Sequence, residues 1–104
     1  MTLNEYQDFT DSVNLYPEDT QHLTLALGLV GEAGEIANKT KKIERDRQPI
    51  CLEDMKAELG DVLWYVSALS DYYGITLQDV LDYNVSKLKA RQAQGTLQGS
   101  GDNR

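Results

Sequence analysis

Leu23-Thr-Leu-Ala-Leu-Gly-Leu-Val-Gly-Glu-Ala-Gly-Glu-Ile-Ala-Asn-Lys39 decides the fold class. Apolar residues return every three or four positions at Leu23, Ala26, Leu29, Val30, Ala33, Ile36 and Ala37, the period of a helix that buries one face. With Leu29 as the origin of a helical projection, Glu32, Lys39, Gly28 and Glu35 fall along about 60° of one edge of that stripe. The stretch therefore predicts a helix that borders its own core with a polar strip holding two acids one turn apart.

The same design recurs in Glu58-Leu-Gly-Asp61. In a projection of the third helix, Leu52, Met55, Leu59, Val62, Leu63, Val66 and Leu69 occupy an arc of roughly 120°, and Glu58 lies beside it with Asp61 further out on the same edge. A single pair of this kind is ordinarily a solvated acid at a helix edge. Two pairs on apolar edges concentrate negative charge in a partly dry volume, which is costly unless a cation is bound. A hard cation such as Mg²⁺, held by carboxylate oxygens and completed by water or phosphate, removes that cost and creates a site for phosphate chemistry. Gly34 and Gly60 sit inside the two motifs at a cost of about 1 kcal/mol each relative to alanine, and close approach between helices is the expected reason.

Punctuation places four helices along the chain. The first covers about residues 2 to 13, opened by the capping box Thr2-Leu-Asn-Glu5. The second runs from about Glu18 to the low 40s, and the connection Arg45-Asp-Arg-Gln-Pro49 follows it. The third runs from about Leu52 to Tyr73 and stops at Gly74. Thr76-Leu-Gln-Asp79 caps the fourth, which continues to about Gln92 and carries Asn84, Lys87 and Arg91 along one edge. Residues 1–93 are expected to form a single all-α helical domain of four to five helices, and the glycine-rich residues 94–104 a mobile tail.

Composition narrows the function. With 104 residues and 40% hydrophobic content, the chain holds one core and gains from assembly with copies of itself. A net charge of −7 argues against gripping nucleic acid through its phosphates, and no segment reads as a leader or a membrane span. A cytoplasmic protein is expected. Cys51 is the single cysteine, expected as a packed thiol with no disulfide and no zinc cluster. His22 lacks an acid three residues before it, so the Glu-x-x-His signature of di-iron bundles is missing. Asn14, Tyr16 and His22 are candidates for contacts to a base, and Trp64 for a subunit interface, with stacking on a base as its alternative. Lys39 is placed either to hold a phosphate oxygen or to pair with Glu35 one turn before it.

Gly31-Glu-Ala-Gly-Glu-Ile-Ala-Asn-Lys39, Glu58-Leu-Gly-Asp-Val-Leu-Trp-Tyr65 and Asn84-Val-Ser-Lys-Leu-Lys-Ala-Arg91 together resemble the MazG-like nucleotide pyrophosphohydrolases. The resemblance extends over nearly the whole domain, and Gly99-Ser-Gly-Asp-Asn-Arg104 is similar to the ending of small members, phage-borne ones included, which gives the tail a ligand role to test. It implies an all-α, Mg²⁺-dependent enzyme, with Mn²⁺ as a substitute, that cleaves a nucleoside triphosphate between its α and β phosphates to a monophosphate and pyrophosphate. The implied metal ligands are Glu32, Glu35, Glu58 and Asp61. Ala33 stands where many relatives carry another acid, so one to three ions per site are compatible. Lys39, Asn84, Lys87 and Arg91 are implied for the phosphates or sugar, Glu35 for activating water, and a homodimer or a homotetramer of dimers for the assembly, in the cytosol of a bacterium or a phage-infected host. Two alternatives stay open: a non-catalytic helical module that binds a nucleotide or a partner, and a phosphoribosyl-ATP pyrophosphohydrolase of the same helical superfamily.

Overall fold

The computed structural model of the chain describes residues 1–102, and Asn103 and Arg104 of the glycine-rich ending lie outside the described residues. Four α-helices follow one another with no strand among the described residues: α1 (Leu3–Ser12), α2 (Gln21–Asp46), α3 (Leu52–Tyr72) and α4 (Leu77–Gln94). The expected signals set these ends. Thr2 Oγ1 accepts from the Glu5 amide at 3.1 Å while the Glu5 carboxylate accepts from the Thr2 amide at 2.9 Å, closing the capping box on α1. Thr76 Oγ1 accepts from the Asp79 amide at 3.0 Å and opens α4. Pro17 leads into a single 3₁₀ turn, Glu18–Thr20, so α2 proper begins three residues later than expected. It also runs longer, to Asp46, where Arg47 turns left-handed at φ 51° and the Gln48 amide bonds back to the Ile43 carbonyl. Gly74, at φ 73°, ends α3 in the same manner, with the Ile75 amide on the Ser70 carbonyl.

α2 and α3 form the main packed pair. α1 lies against α3, and α4 rests on α1 and on part of α3, with its backbone away from that of α2. Polar groups hold the junction of α1 with the α3–α4 corner. Thr10 and Ser67, both buried, share a 2.6 Å hydrogen bond, and buried Gln7 donates to the Ile75 carbonyl and accepts from the Leu77 amide. The Ile75 carbonyl and the Leu77 amide at that corner thereby have partners.

The buried apolar set differs from the one expected. Leu25, Ala68 and Leu77 are buried, whereas Leu23 and Val30 of the predicted α2 stripe are 63% and 69% exposed, and Leu52, Leu59 and Leu63 of the predicted α3 arc are also exposed. The helical period was legible, but its phase against the partner was not. α3 turns its small residues Ser67, Ala68 and Ser70 inward, where α1 comes close, and leaves its leucine edge uncovered. Cys51 is exposed as well, contrary to expectation, because it stands in the N-cap position of α3 at the end of an open connection. The radius of gyration is 16.5 Å, against about 13 Å for a closed globule of about 100 residues. The four helices form an open layer whose apolar faces are only partly covered.

Candidate functional site

Glu58 and Asp61, one turn apart on α3, face Glu32 of α2, and one carboxylate oxygen from each lies within 4.8 Å of the others. Glu32 and Glu58 are half-buried and Asp61 is exposed. Glu58 divides its two oxygens between different fates. Oε1 receives Lys39 Nζ at 3.0 Å, while Oε2 is buried without a hydrogen-bond partner. A buried carboxylate oxygen left unpaired is costly, and it belongs to a residue of an acidic cluster. Burial, then the charges of Asp61, Glu58 and Glu35, raise the Glu32 carboxyl above its ordinary value. The Lys39 ammonium is held above its ordinary value, first by its hydrogen bond to Glu58. Three acid oxygens within 4.8 Å of one another, on residues that include a carboxylate with an unpartnered oxygen, suit a hard divalent cation.

Glu35 stands apart from this trio. It is exposed on α2 and acts on Glu32 through its charge alone. Lys39 reaches across to α3 and does not pair with Glu35 in the same helix.

Beside the acids opens a cavity of about 520 Å³ walled by Glu32, Asp61, Tyr16, Trp64, Tyr65 and Val13. Its aromatic side is ordered edge to face. Trp64 lies 5.0 Å from Tyr65 and 6.4 Å from Tyr16 between ring centroids. The Tyr16 and Tyr65 hydroxyls share a 2.9 Å hydrogen bond, and that bond, with burial and the nearby acids, raises the Tyr65 phenol to about 12. Gly28 makes room for this wall, since a Cβ there would overlap the Tyr65 ring. Close approach thus occurs at Gly28 and not at the two glycines of the acidic motifs, for a Cβ on Gly34 or Gly60 would meet nothing within 4 Å.

Of the three residues expected at a base, Tyr16 lines the cavity. Asn14 supports it from behind, accepting from the Tyr16 amide at 3.1 Å. His22 lies elsewhere, sharing a 3.1 Å hydrogen bond with the Tyr73 hydroxyl and packing on Tyr72. Trp64, expected at an interface, stands on the cavity wall. Trp64 on the wall fits its alternative reading as a stacking surface, and Tyr65 is a wall residue that the sequence reading does not single out. Their position three and four residues after Asp61, on the same helix face, was the available signal.

Asn84 and Lys87 line a separate cavity of about 370 Å³ with Ile75, Val80 and Tyr83. Arg91 is 5% exposed, and both it and Lys87 are bonded to Asp102 of the tail. Asn84 and Lys87 thus line a different cavity from the one beside the carboxylate trio, and the backbone of α4 does not come close to that of α2.

Residues 20–96 match the model of the MazG nucleotide pyrophosphohydrolase domain. The chain is 42% identical over its full length to the full-length Gene 37 protein of Mycobacterium phage L5. It is 37% identical to the uncharacterized protein YvdC of Bacillus subtilis strain 168, over 61% of this chain and 68% of that one. No solved structure matches it significantly.

Proposed function

The chain belongs to the MazG nucleotide pyrophosphohydrolase domain family, and from that premise we propose that it hydrolyses nucleoside triphosphates between the α and β phosphates. The products are a nucleoside monophosphate and pyrophosphate, and the role is control or cleansing of the nucleotide pool in a bacterial or phage-infected cytoplasm. The observation that carries this reading is the clustering of Glu32 and Asp61 with Glu58, a carboxylate that keeps one buried oxygen without a hydrogen-bond partner.

Glu32, Glu58 and Asp61 would hold Mg²⁺, or Mn²⁺ in its place, with Glu35 as a further ligand one turn away. When bound, the ion neutralises charge on the phosphates and on the departing pyrophosphate. The residues around it have their own tasks. Lys39 offers its ammonium to a phosphate oxygen, exchanging or sharing its contact with Glu58. Glu35 takes the proton of the water that attacks the α phosphorus. Trp64 and Tyr16 present flat aromatic faces beside the acids, on which a base stacks, while the Tyr16–Tyr65 hydroxyl pair fixes the wall. Asn84, Lys87 and Arg91 bind sugar or phosphate oxygens.

Since α4 stands away from α2, a second copy completes the site, in a homodimer or a tetramer of dimers. The 16.5 Å radius of gyration and the uncovered stripes on α2 and α3 support such an assembly. No helix among the described residues is long and apolar enough to cross a membrane.

The deciding experiment incubates the pure protein with a panel of canonical and modified dNTPs, NTPs and phosphoribosyl-ATP in Mg²⁺ and identifies the products. Monophosphate and pyrophosphate from a dNTP or NTP, lost in Glu58→Gln, are expected. Orthophosphate as first product, preference for phosphoribosyl-ATP, or binding without turnover would each overturn the proposal.

A further inference from the structure

Lys87 and Arg91 are one turn apart on α4, where like charges repel, and the Arg91 side chain is only 6% exposed. A cation so placed requires an anion. The chain supplies one from its own tail. Lys87 Nζ and Arg91 Nη2 both close on the same oxygen, Oδ1 of Asp102, each at 3.1 Å, and Arg91 Nη2 reaches the Gly101 carbonyl at 3.4 Å. The path back is built into the end of α4. Gly95 turns left-handed at φ 72°, and the Thr96 amide bonds to the Arg91 carbonyl at 2.8 Å.

The two sides of this contact are unequal. The cations stand on a helix and are mostly covered, whereas the Asp102 side chain is 81% exposed. One carboxylate also matches only one of two positive charges, and a phosphate group carrying two negative charges would match both. We infer that Asp102 is a built-in stand-in for phosphate: the tail occupies an anion site formed by Lys87 and Arg91 and is displaced by the phosphate groups of an incoming ligand. This rests on the proposed role of Lys87 and Arg91 as phosphate-binding groups. The tail thereby keeps the pair charge-matched in the unliganded chain and sets a threshold for occupation, because an attached anion competes at a high effective concentration.

Calorimetric titration of the full chain with inorganic pyrophosphate, without divalent cations, tests this with Asp102→Asn, Asp102→Glu and Lys87→Gln beside the parent. Asp102→Asn is expected to bind roughly two- to tenfold more tightly, the range set by the modest strength of exposed ion pairs. Asp102→Glu should bind like the parent and Lys87→Gln more weakly. If Lys87→Gln weakens binding while Asp102→Asn leaves it unchanged or weaker, the stand-in role is wrong and the phosphate role of the cations survives. If Lys87→Gln leaves pyrophosphate binding unaltered, the phosphate role itself fails and the inference falls with it.

Discussion

Lys39 Nζ sits 3.0 Å from Glu58 Oε1, so the lysine of the α2 strip neutralises the acid of the neighbouring helix and not the one a turn before it. The pair ties α2 to α3 at the level of the acid trio and leaves the second Glu58 oxygen without a partner. Replacing Lys39 with Met keeps the stem and removes the charge. Without divalent cations, the variant should be less stable than the parent, because the Glu58 carboxylate loses its counter-charge. Added Mg²⁺ should then raise its melting temperature more than it raises that of the parent, since a bound cation replaces the lost charge and ligand binding to the folded state adds stability. Thermal melts with and without Mg²⁺ check this, and equal Mg²⁺ responses would show that Lys39 and the metal do not share Glu58.

Gly28 and Gly34 lie on one helix and predict opposite outcomes for the same substitution. A Cβ at residue 28 overlaps the Tyr65 ring, which is held by its hydroxyl to Tyr16. Gly28→Ala should push that ring aside, break the hydroxyl pair and cost about 1–3 kcal/mol from overpacking, less the roughly 1 kcal/mol that alanine returns to the helix. The Tyr65 phenol should fall from about 12 toward 10 as its bond is lost. Gly34→Ala meets open space and should stabilise by up to about 1 kcal/mol. Denaturant melts, with ultraviolet titration of tyrosinate, distinguish the two.

Helix number, caps and stops were legible because each is written in local chemistry: Thr2 with Glu5, Thr76 with Asp79, and Gly74 at positive φ. That Glu58 and Asp61 share a face was legible for the same reason, since spacing on one helix fixes which side chains are neighbours, and their meeting with Glu32 followed from two acidic edges on helices expected to pack together. What periodicity leaves open is the rotation of one helix against another. That rotation buries Leu25 in place of Leu23, gives Glu58 to Lys39 across the helix pair, and sets Gly28 rather than Gly34 or Gly60 at the close approach. The contact of Asp102 with Lys87 and Arg91 was equally out of reach, because glycines around it carry no period from which its return to α4 follows.

The Asp71 carboxyl near the end of α3 is raised, first by burial, then by the hydrogen bond its protonated form can donate to Asp11 of α1, and by the charges of Asp11 and Asp8. A raised carboxyl binds its proton more tightly in the folded chain than in the unfolded one, so folding disfavours its ionised form. The penalty is present in full above the folded value and vanishes as pH falls through it toward the unfolded value near about 3.9. Asp71→Asn should therefore be more stable than the parent at pH 7 by a few tenths of a kcal/mol, discounted for solvent screening. The difference should close below about pH 4. Urea melts across pH 3–8 measure it, and a difference that is constant with pH would exclude the carboxyl pair as its source.

Three apolar stripes remain on the surface at helical spacing: Leu23, Leu27 and Val30 on α2, Leu52, Leu59 and Leu63 on α3, and Leu81, Val85 and Leu88 on α4. Scattered exposed leucines are normal in a monomer, but rows of them on an open helical layer are not. If a second copy covers the α2 stripe, a charge placed in it must be desolvated on assembly, at a cost that small interfaces do not tolerate. Leu27→Glu, at a residue 60% exposed in the single chain, should leave helix content near that of the parent and shift the mass measured by light scattering toward one 11.7 kDa chain. Nucleotide turnover should fall with the loss of assembly, if the phosphate-binding groups of α4 serve the acids of a second copy, as the distance between the α4 and α2 backbones suggests. A Leu27→Glu protein that is monomeric and fully active would show that one chain holds a complete site. A parent that is itself monomeric at micromolar concentration would show that the stripes serve something other than self-association.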